Sequence, residues 1–339
     1  MTWSRPLSVL LAPALVLVLA VAALLSDGFG AASALRHGLF DSYQRHAARD
    51  MPVSPVRVLE LPVLDEDGLV DVTRRLALQG ARLVVFTAPM EPGPSPQSLS
   101  AKLPPASDAA RAALAKLPEP GHDLAAALRD IKGIVPVMLG APGRLPDIKA
   151  RIIYRGARDP LGQIPRFESA AAPIALLGAN AAGTAAANLM PDSDGVVRRM
   201  PLLLRVENRV VPGLAAEALR VARGKAEITV VSNERAATSF FSGIGIAALE
   251  SDATTIPTGS DGRIWLHYSA NLRQLDPNAF DSPALRNAIV VVGAQGAMVD
   301  TPLGPASIAQ VTAEGIENLI GGEVLARPAW MLLAEALLL

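Results

Sequence analysis

The chain has 339 residues, 50% hydrophobic and 19% charged, with a net charge of -1. A composition this apolar excludes global disorder, and the balanced charge gives no electrostatic footprint for nucleic acid or another polyanion. The absence of cysteine excludes disulfides, thiol nucleophiles and zinc–thiolate centres, and it permits a periplasmic location without demonstrating one.

The first feature in chain order is an uncharged apolar run over residues 7–25. About 19 residues at 1.5 Å each are enough to cross the ~30 Å hydrocarbon core. The run reads as a transmembrane helix or uncleaved signal anchor. The alternative is a cleaved signal peptide: Ala20-Val21-Ala22 has the small-x-small pattern of a cleavage site, but signal cores usually extend only ~7–15 residues. Arg5 before the run and Arg36 and Arg45 after it leave the orientation undecided.

A junction rich in small and polar residues follows, from Ser26 to Asp50. The Val56–Leu61 segment predicts a strand. Leu69, Val72 and Leu76 predict a helix stopping at Gly80, and the short apolar run Arg82–Phe86 a buried strand, which together make a βαβ unit. Proline and serine predict a loop from Thr87 to Pro105, helices follow at Asp108–Leu117 and Asp123–Ile131, and a strand at Ile134–Leu139. Residues 140–172 read as loop. Beyond them come a strand at Pro201–Val206 and a helix at Leu214–Arg223 with Ala215, Ala218, Leu219 and Ala222 on one face. The last expected elements are a strand at Arg263–Tyr268, a buried strand at Ile289–Val292 and a short helix at Ala313–Ile320. The fold class expected is α/β, one mixed sheet flanked by helices. From Ala329 to Leu339 the chain is apolar again, for about half a membrane span. This stretch reads as the start of a second transmembrane helix, cut short at Leu339. Residues 30–328 are then expected to form one extracytoplasmic domain between membrane segments.

Motifs that could carry chemistry are few. Asp192-Ser-Asp194-Gly195 resembles the opening of a calcium loop, but leucines stand where its last carboxylate belongs, and an Asp-Gly turn accounts for the same residues. Arg198 and Arg199 have the fork geometry to capture an anion, or they pair with Asp192 and Asp194 on the surface. Gly243-Ile-Gly245-Ile-Ala-Ala248 is a shortened dinucleotide fingerprint that lacks a convincing strand before it and a helix after it. Gly293-Ala-Gln-Gly296 follows a strand, and its amides could hold an anion or simply form a tight strand-to-helix turn. The four histidines are scattered, and neither a nucleophile elbow nor a Walker loop is present. No catalytic residue, metal centre or cofactor is indicated.

Four landmarks in order resemble a known family. They are Asn188-Leu-Met-Pro-Asp-Ser-Asp-Gly-Val-Val-Arg-Arg-Met-Pro-Leu202 with the helix from Leu214; Asp261-Gly-Arg-Ile-Trp-Leu-His-Tyr268; Ile289-Val-Val-Val-Gly-Ala294 leading to Asp300-Thr-Pro302; and Glu314-Gly-Ile-Glu-Asn-Leu-Ile-Gly-Gly-Glu-Val-Leu-Ala-Arg-Pro328. Together they resemble the type-two CHASE domain, a sensory extracellular domain associated with cyclases and histidine kinases. The chain departs from that pattern at Asp65-Glu-Asp-Gly68, which lacks tryptophan, at Thr87 where an acid is usual, and at Thr312, where a histidine often precedes the last helix. The resemblance implies a bacterial inner-membrane receptor with a periplasmic domain, an unknown small-molecule or periplasmic stimulus, and a cytoplasmic nucleotide cyclase or kinase output. A homodimer is expected by analogy with such receptors. Asp192, Asp194, Arg198, Arg199, Gly293, Gly296 and Asp300 are the candidate ligand contacts. The competing reading is a secreted or anchored envelope protein, binding or hydrolytic, without a signalling output.

Overall fold

The structure, a computed structural model, describes Leu15 and residues 30–49, 55–89, 95–104, 107–156, 159–171, 174–233, 244–251, 254–270, 274–275 and 283–326. The chain divides into two units, Met1–Ala48 with Arg327–Leu339, and Arg49–Ala326. Apart from Leu15, the apolar stretches 7–25 and 329–339 lie outside the described residues, and among those residues no helix is long and apolar enough to cross a membrane. In the first unit, helix α1 (Ala31–His46) occupies most of the segment read as a junction and leaves Leu35, Leu39 and Tyr43 exposed.

The second unit opens with β1 (Val56–Leu61), α2 (Glu66–Leu78) and β2 (Leu83–Phe86). The Asp65 side chain accepts from Gly68 N at 3.0 Å to start α2, and Gly80, at φ +76°, follows its end. Short helices α3 (Pro96–Ala101) and α4 (Asp108–Leu114) precede α5 (His122–Asp130) and β3 (Gly133–Leu139). Strands β4 (Arg151–Arg155), β5 (Arg166–Phe167) and β6 (Ala170–Ala171), helix α6 (Ala175–Asn180) and β7 (Gly183–Ala186) follow. After β8 (Arg199–Pro201), β9 (Leu203–Val206) and β10 (Arg209–Pro212) comes α7 (Leu214–Ala222). The chain then makes β11 (Glu227–Ser232), β12 (Ile246–Ser251), β13 (Thr254–Pro257), β14 (Arg263–Trp265), β15 (Ile289–Ala294), the hairpin β16 (Met298–Thr301) and β17 (Gly304–Ser307), and α8 (Ile308–Gly321).

The main sheet runs β1-β15-β2-β3-β7 with all these neighbours parallel, and β6 adds antiparallel to the end of β3. Strand alternation divides the core between its two faces. Leu59, Leu61, Val84, Phe86, Val290 and Val292 pack with Leu69, Val72 and Leu76 of α2 and Leu124 and Leu128 of α5. Val56, Val58, Leu83, Val85, Ile289 and Val291 share the other core with Ala215, Ala218 and Leu219 of α7 and Ala309, Ala313 and Ile316 of α8. Helices thus cover both faces, as a parallel sheet requires.

The α/β class holds, but among the described residues the expected single sheet is one large sheet and four smaller ones. The strand read across residues 201–206 changes partner at Leu202: β8 pairs with β14, whereas β9 pairs with β10 and β5. Residues 140–172 contain β4, β5 and β6, whose partners β11, β9 and β3 are remote in sequence or antiparallel, so local pattern does not announce them. The expected loop from Thr87 to Pro105 includes α3, started by a Ser95 cap and Pro96. The strand at Arg263 ends at Trp265. Helix α8 begins at Ile308, five residues before the expected Ala313, because Ser307 and Gln310 form a capping box.

Gly245 precedes a strand and approaches the Ser260 carbonyl so closely that a Cβ would lie 2.4 Å from its oxygen. This is close backbone packing, without the strand-then-helix order of a dinucleotide fingerprint; Gly243 lies outside the described residues. At Gly293 an added Cβ would stand 2.6 Å from Ala309 Cβ and 2.8 Å from Thr87 Oγ1. Gly293→Ala should therefore push α8 off the sheet and destabilise the fold by about 1–3 kcal/mol, checked by thermal melting.

Candidate functional site

The segment 192–199 folds back on itself. Asp192 N donates to Val196 O at 2.9 Å, Gly195 N to Asp192 O at 2.9 Å, and Gly195 takes φ +85°. This turn returns both arginines to the acids before it. Arg198 presents a fork to Asp194, with Nη1 2.9 Å from Oδ1 and Nη2 2.7 Å from Oδ2, and its Nη1 also reaches Asp192 Oδ2 at 3.3 Å. Arg199 Nε donates to Asp192 Oδ1 at 3.1 Å, and its guanidinium lies 5.3 Å from the centre of the Trp265 ring. Asp261 stands 3.8 Å from Arg199 Nη1 and accepts from Arg263 Nε at 2.6 Å. Acids and bases alternate along the network: Asp194, Arg198, Asp192, Arg199, Asp261, Arg263. The Arg198 and Asp192 side chains are only 2% and 1% exposed, so of the pairings expected on the surface this one is internal, while Asp194 and Arg199 reach solvent. The forks that could have taken an anion face carboxylates of the same loop.

The other sequence-derived candidates are placed separately. Gly293 is enclosed between Thr87 and Ala309, where its small size serves helix packing. Gly296, at φ +83° with open space around it, forms the turn into the β16–β17 hairpin. Asp300 is exposed; its carbonyl accepts from Val197 N at 2.8 Å, which joins the hairpin to the 192–199 turn through backbone alone.

A second network escaped the sequence reading. Arg49 Nη2 contacts Glu314 Oε2 at 2.9 Å and Glu317 Oε2 at 2.6 Å, and its Nη1 contacts Glu323 Oε2 at 3.3 Å. Arg49, Glu314 and Glu317 are buried, whereas the Glu323 side chain is 41% exposed. Glu314 Oε1 also accepts from Ser269 N at 2.8 Å and Ser269 Oγ at 2.5 Å. The spacing of Glu314, Glu317 and Asn318 was a usable signal, since residues three and four apart share a helix face. Nothing local marked Arg49 as their partner. Burial pushes the Glu314 carboxyl above the usual carboxylate range, against the pull of Ser269 and Arg49. Burial also opposes the Arg49 charge, but Glu314 and Glu317 outweigh it and raise the guanidinium's pKa.

One short segment joins the two networks. Leu266 N donates to Arg198 O at 2.9 Å, and Tyr268 Oη to Val197 O at 2.7 Å. Asn318 grips His267 through both its side-chain atoms, at 2.7 and 3.0 Å, and Arg49 N donates to Tyr268 O at 2.9 Å. Beside this segment lies a cavity of about 190 Å³ whose lining includes Tyr268, Ser269, Thr301, Leu303, Gln310 and Glu314. Burial raises the Tyr268 phenol pKa, which keeps it neutral. The arrangement offers hydrogen bonds and buried charge, and it couples distant segments.

A family model of the CHASE2 domain matches residues 16–339. The chain belongs to the CHASE2 family. CHASE2 is a sensory domain of extracellular type and not a catalytic one. No curated protein and no solved structure compared with the chain matches it. In this CHASE2 domain Thr87 is buried at the end of β2, with Oγ1 3.2 Å from Val292 O. Thr312 belongs to the last helix and does not precede it, and its Oγ1 bonds Ile308 O at 2.8 Å.

Within the CHASE2 domain the two aspartates of the 192–199 turn should differ in weight. Asp192→Ala removes the buried carboxylate that Arg198 and Arg199 share and should cost about 3–5 kcal/mol, whereas Asp194→Ala, at a half-exposed pair, should cost about 1 kcal/mol. Denaturant melts of both variants check the ranking. Stability unchanged in both, with a ligand response lost, would make the turn a binding site.

Proposed function

We propose that this CHASE2 domain is the periplasmic input module of a transmembrane signalling receptor in a bacterial inner membrane. The observation that carries the reading is the meeting of the domain's two ends. Arg49, its first residue, and Glu323, three residues before its last, contact each other at 3.3 Å. A domain held between membrane helices at residues 7–25 and from 329 onward needs its ends together, and this contact supports that layout. The cysteine-free composition is compatible with an oxidising compartment.

In the proposed mechanism a stimulus prefers one of two arrangements of the domain and shifts their populations. A tenfold preference moves the equilibrium by about 1.4 kcal/mol. The contacts from Arg49 and Glu323 to the centre of the domain carry that shift toward the membrane segments. A nucleotide cyclase or histidine kinase in a homodimer is the proposed output, since such active sites commonly form between two copies.

Alkaline phosphatase fused at the exposed Pro142 should be active in cells, and a fluorescent protein fused there should stay dark. The opposite pattern would refute the topology. Reading the gene past Leu339 tests the output: an encoded cyclase or kinase supports the receptor, whereas a stop codon with neither enzyme adjacent favours an envelope protein.

A further inference from the structure

Helix α8 places Glu314 and Glu317 on one face, three residues apart, and both point at a single guanidinium. With Glu323, three carboxylates share Arg49. Counting formal charges, Arg49 with the two buried glutamates carries one negative charge in excess, and Glu323 adds another. Buried charge is tolerated only when paired and hydrogen-bonded. The pairing here is incomplete: Glu317 Oε1 and Arg49 Nε are buried without a hydrogen-bond partner among the described residues. One added proton would neutralise the buried trio. The 192–199 network differs in this respect, because its three acids and three bases balance.

We infer that the Arg49–Glu314–Glu317–Glu323 cluster is a proton-binding site and that its protonation sets how firmly the end of the domain is held. This deepens the sensory reading by naming the proton as a ligand of the domain. When both buried glutamates are ionised, they draw the guanidinium inward at 2.6 and 2.9 Å, and Glu323 has the longest contact, 3.3 Å. One proton on the buried pair frees Arg49's charge for Glu323. The segment that ends the domain, which also bridges Leu325 to Trp265, is then held more tightly.

Other charged and titratable groups lie around the cluster. Tyr268 faces it from the segment after β14, with Arg198 and Asp192 beyond, and the neighbouring His267 bonds Asn318 of α8 through its backbone. The raised Glu314 pKa agrees in sign. The folded state binds the proton better than the unfolded chain, so this group's contribution to stability is full below its unfolded value and is lost as pH rises through the folded one.

The chain has no cysteine, so Ala270→Cys and Ala326→Cys can carry two spin labels without background; both positions are exposed. The distance distribution is measured on the full chain in detergent micelles between about pH 5 and about pH 8, a range that covers raised carboxylates. A narrow distribution at acid pH that broadens as pH rises is expected. The isosteric pair E314Q/E317Q should stay narrow throughout, and H267Q should respond like the unmodified sequence. R49Q should be broad throughout; should that variant fail to fold, the amide pair still decides. A distribution that does not change with pH, a normal response in E314Q/E317Q, or a response lost in H267Q would each overturn the inference. None of these outcomes bears on the topology, which the fusions test separately.

Discussion

Strand β15 bonds in parallel to β1 on one side and to β2 on the other, although roughly 200 residues separate it from either in sequence. Its insertion gives β1 its sheet partner and fixes where α8 must lie. Gly293 permits the close approach, since any side chain there would strike Ala309 and Thr87. Once α8 is seated against β1 and β15, Glu314, Glu317 and Asn318 face Arg49 and the 266–269 segment. The charged centre of the domain therefore depends on a contact between the strands of the main sheet that come first and last in chain order. Pairing at such separation is entropically expensive and late in folding. The domain's ends are tied together only when the whole sheet is complete.

Buried charge appears in two forms with different consequences. Around Arg198 the acids and bases balance, the arginine is enclosed, and the carboxylates belong to the same loop. Removing one member of such a pair costs several kcal/mol, mostly because the partner is left charged and dry. That network fixes the shape of the 192–199 turn and, through Val197 and Asp300, the position of the hairpin. Around Arg49 the carboxylates outnumber the cation and come from a helix and the segment after it. An unbalanced cluster at the edge of solvent is one whose charge can change.

Much of the fold was legible because its signals are local. Short apolar runs at Leu83–Phe86 and Ile289–Val292 are what a parallel strand buried on both faces must look like. Gly80 marked the end of α2, where the chain takes a positive φ, while the Asp65 cap at its start went unread. The small strands β4, β5 and β6 were not legible, since short irregular segments gain their identity from partners elsewhere in the chain. The site divides along the same line. Asp192, Asp194, Arg198 and Arg199 stand within one turn, so their mutual pairing could be weighed from spacing. Arg49 lies 265 residues from Glu314, and no periodicity links them. The helix face bearing Glu314 and Glu317 was visible, but its meaning required the guanidinium opposite.

The segment 266–269 bonds to Arg198 and Val197 at its start and to Glu314, Asn318 and Arg49 along its length. It can therefore pass a displacement between the two networks, and magnitudes decide which of them yields. Coupling free energies in sensory proteins are typically ~1–3 kcal/mol. That is too little to break the enclosed Arg198–Asp192 pair, whose disruption costs about 3–5 kcal/mol. The Arg49–Glu323 contact is different: Glu323 is 41% exposed, and pairs of that kind contribute only about 0–1 kcal/mol. A signal of ordinary size can make or release it while the rest of the core stays intact. The physically weakest member of the charge network is thus the one at the end of the domain, where a receptor of the proposed layout needs to move.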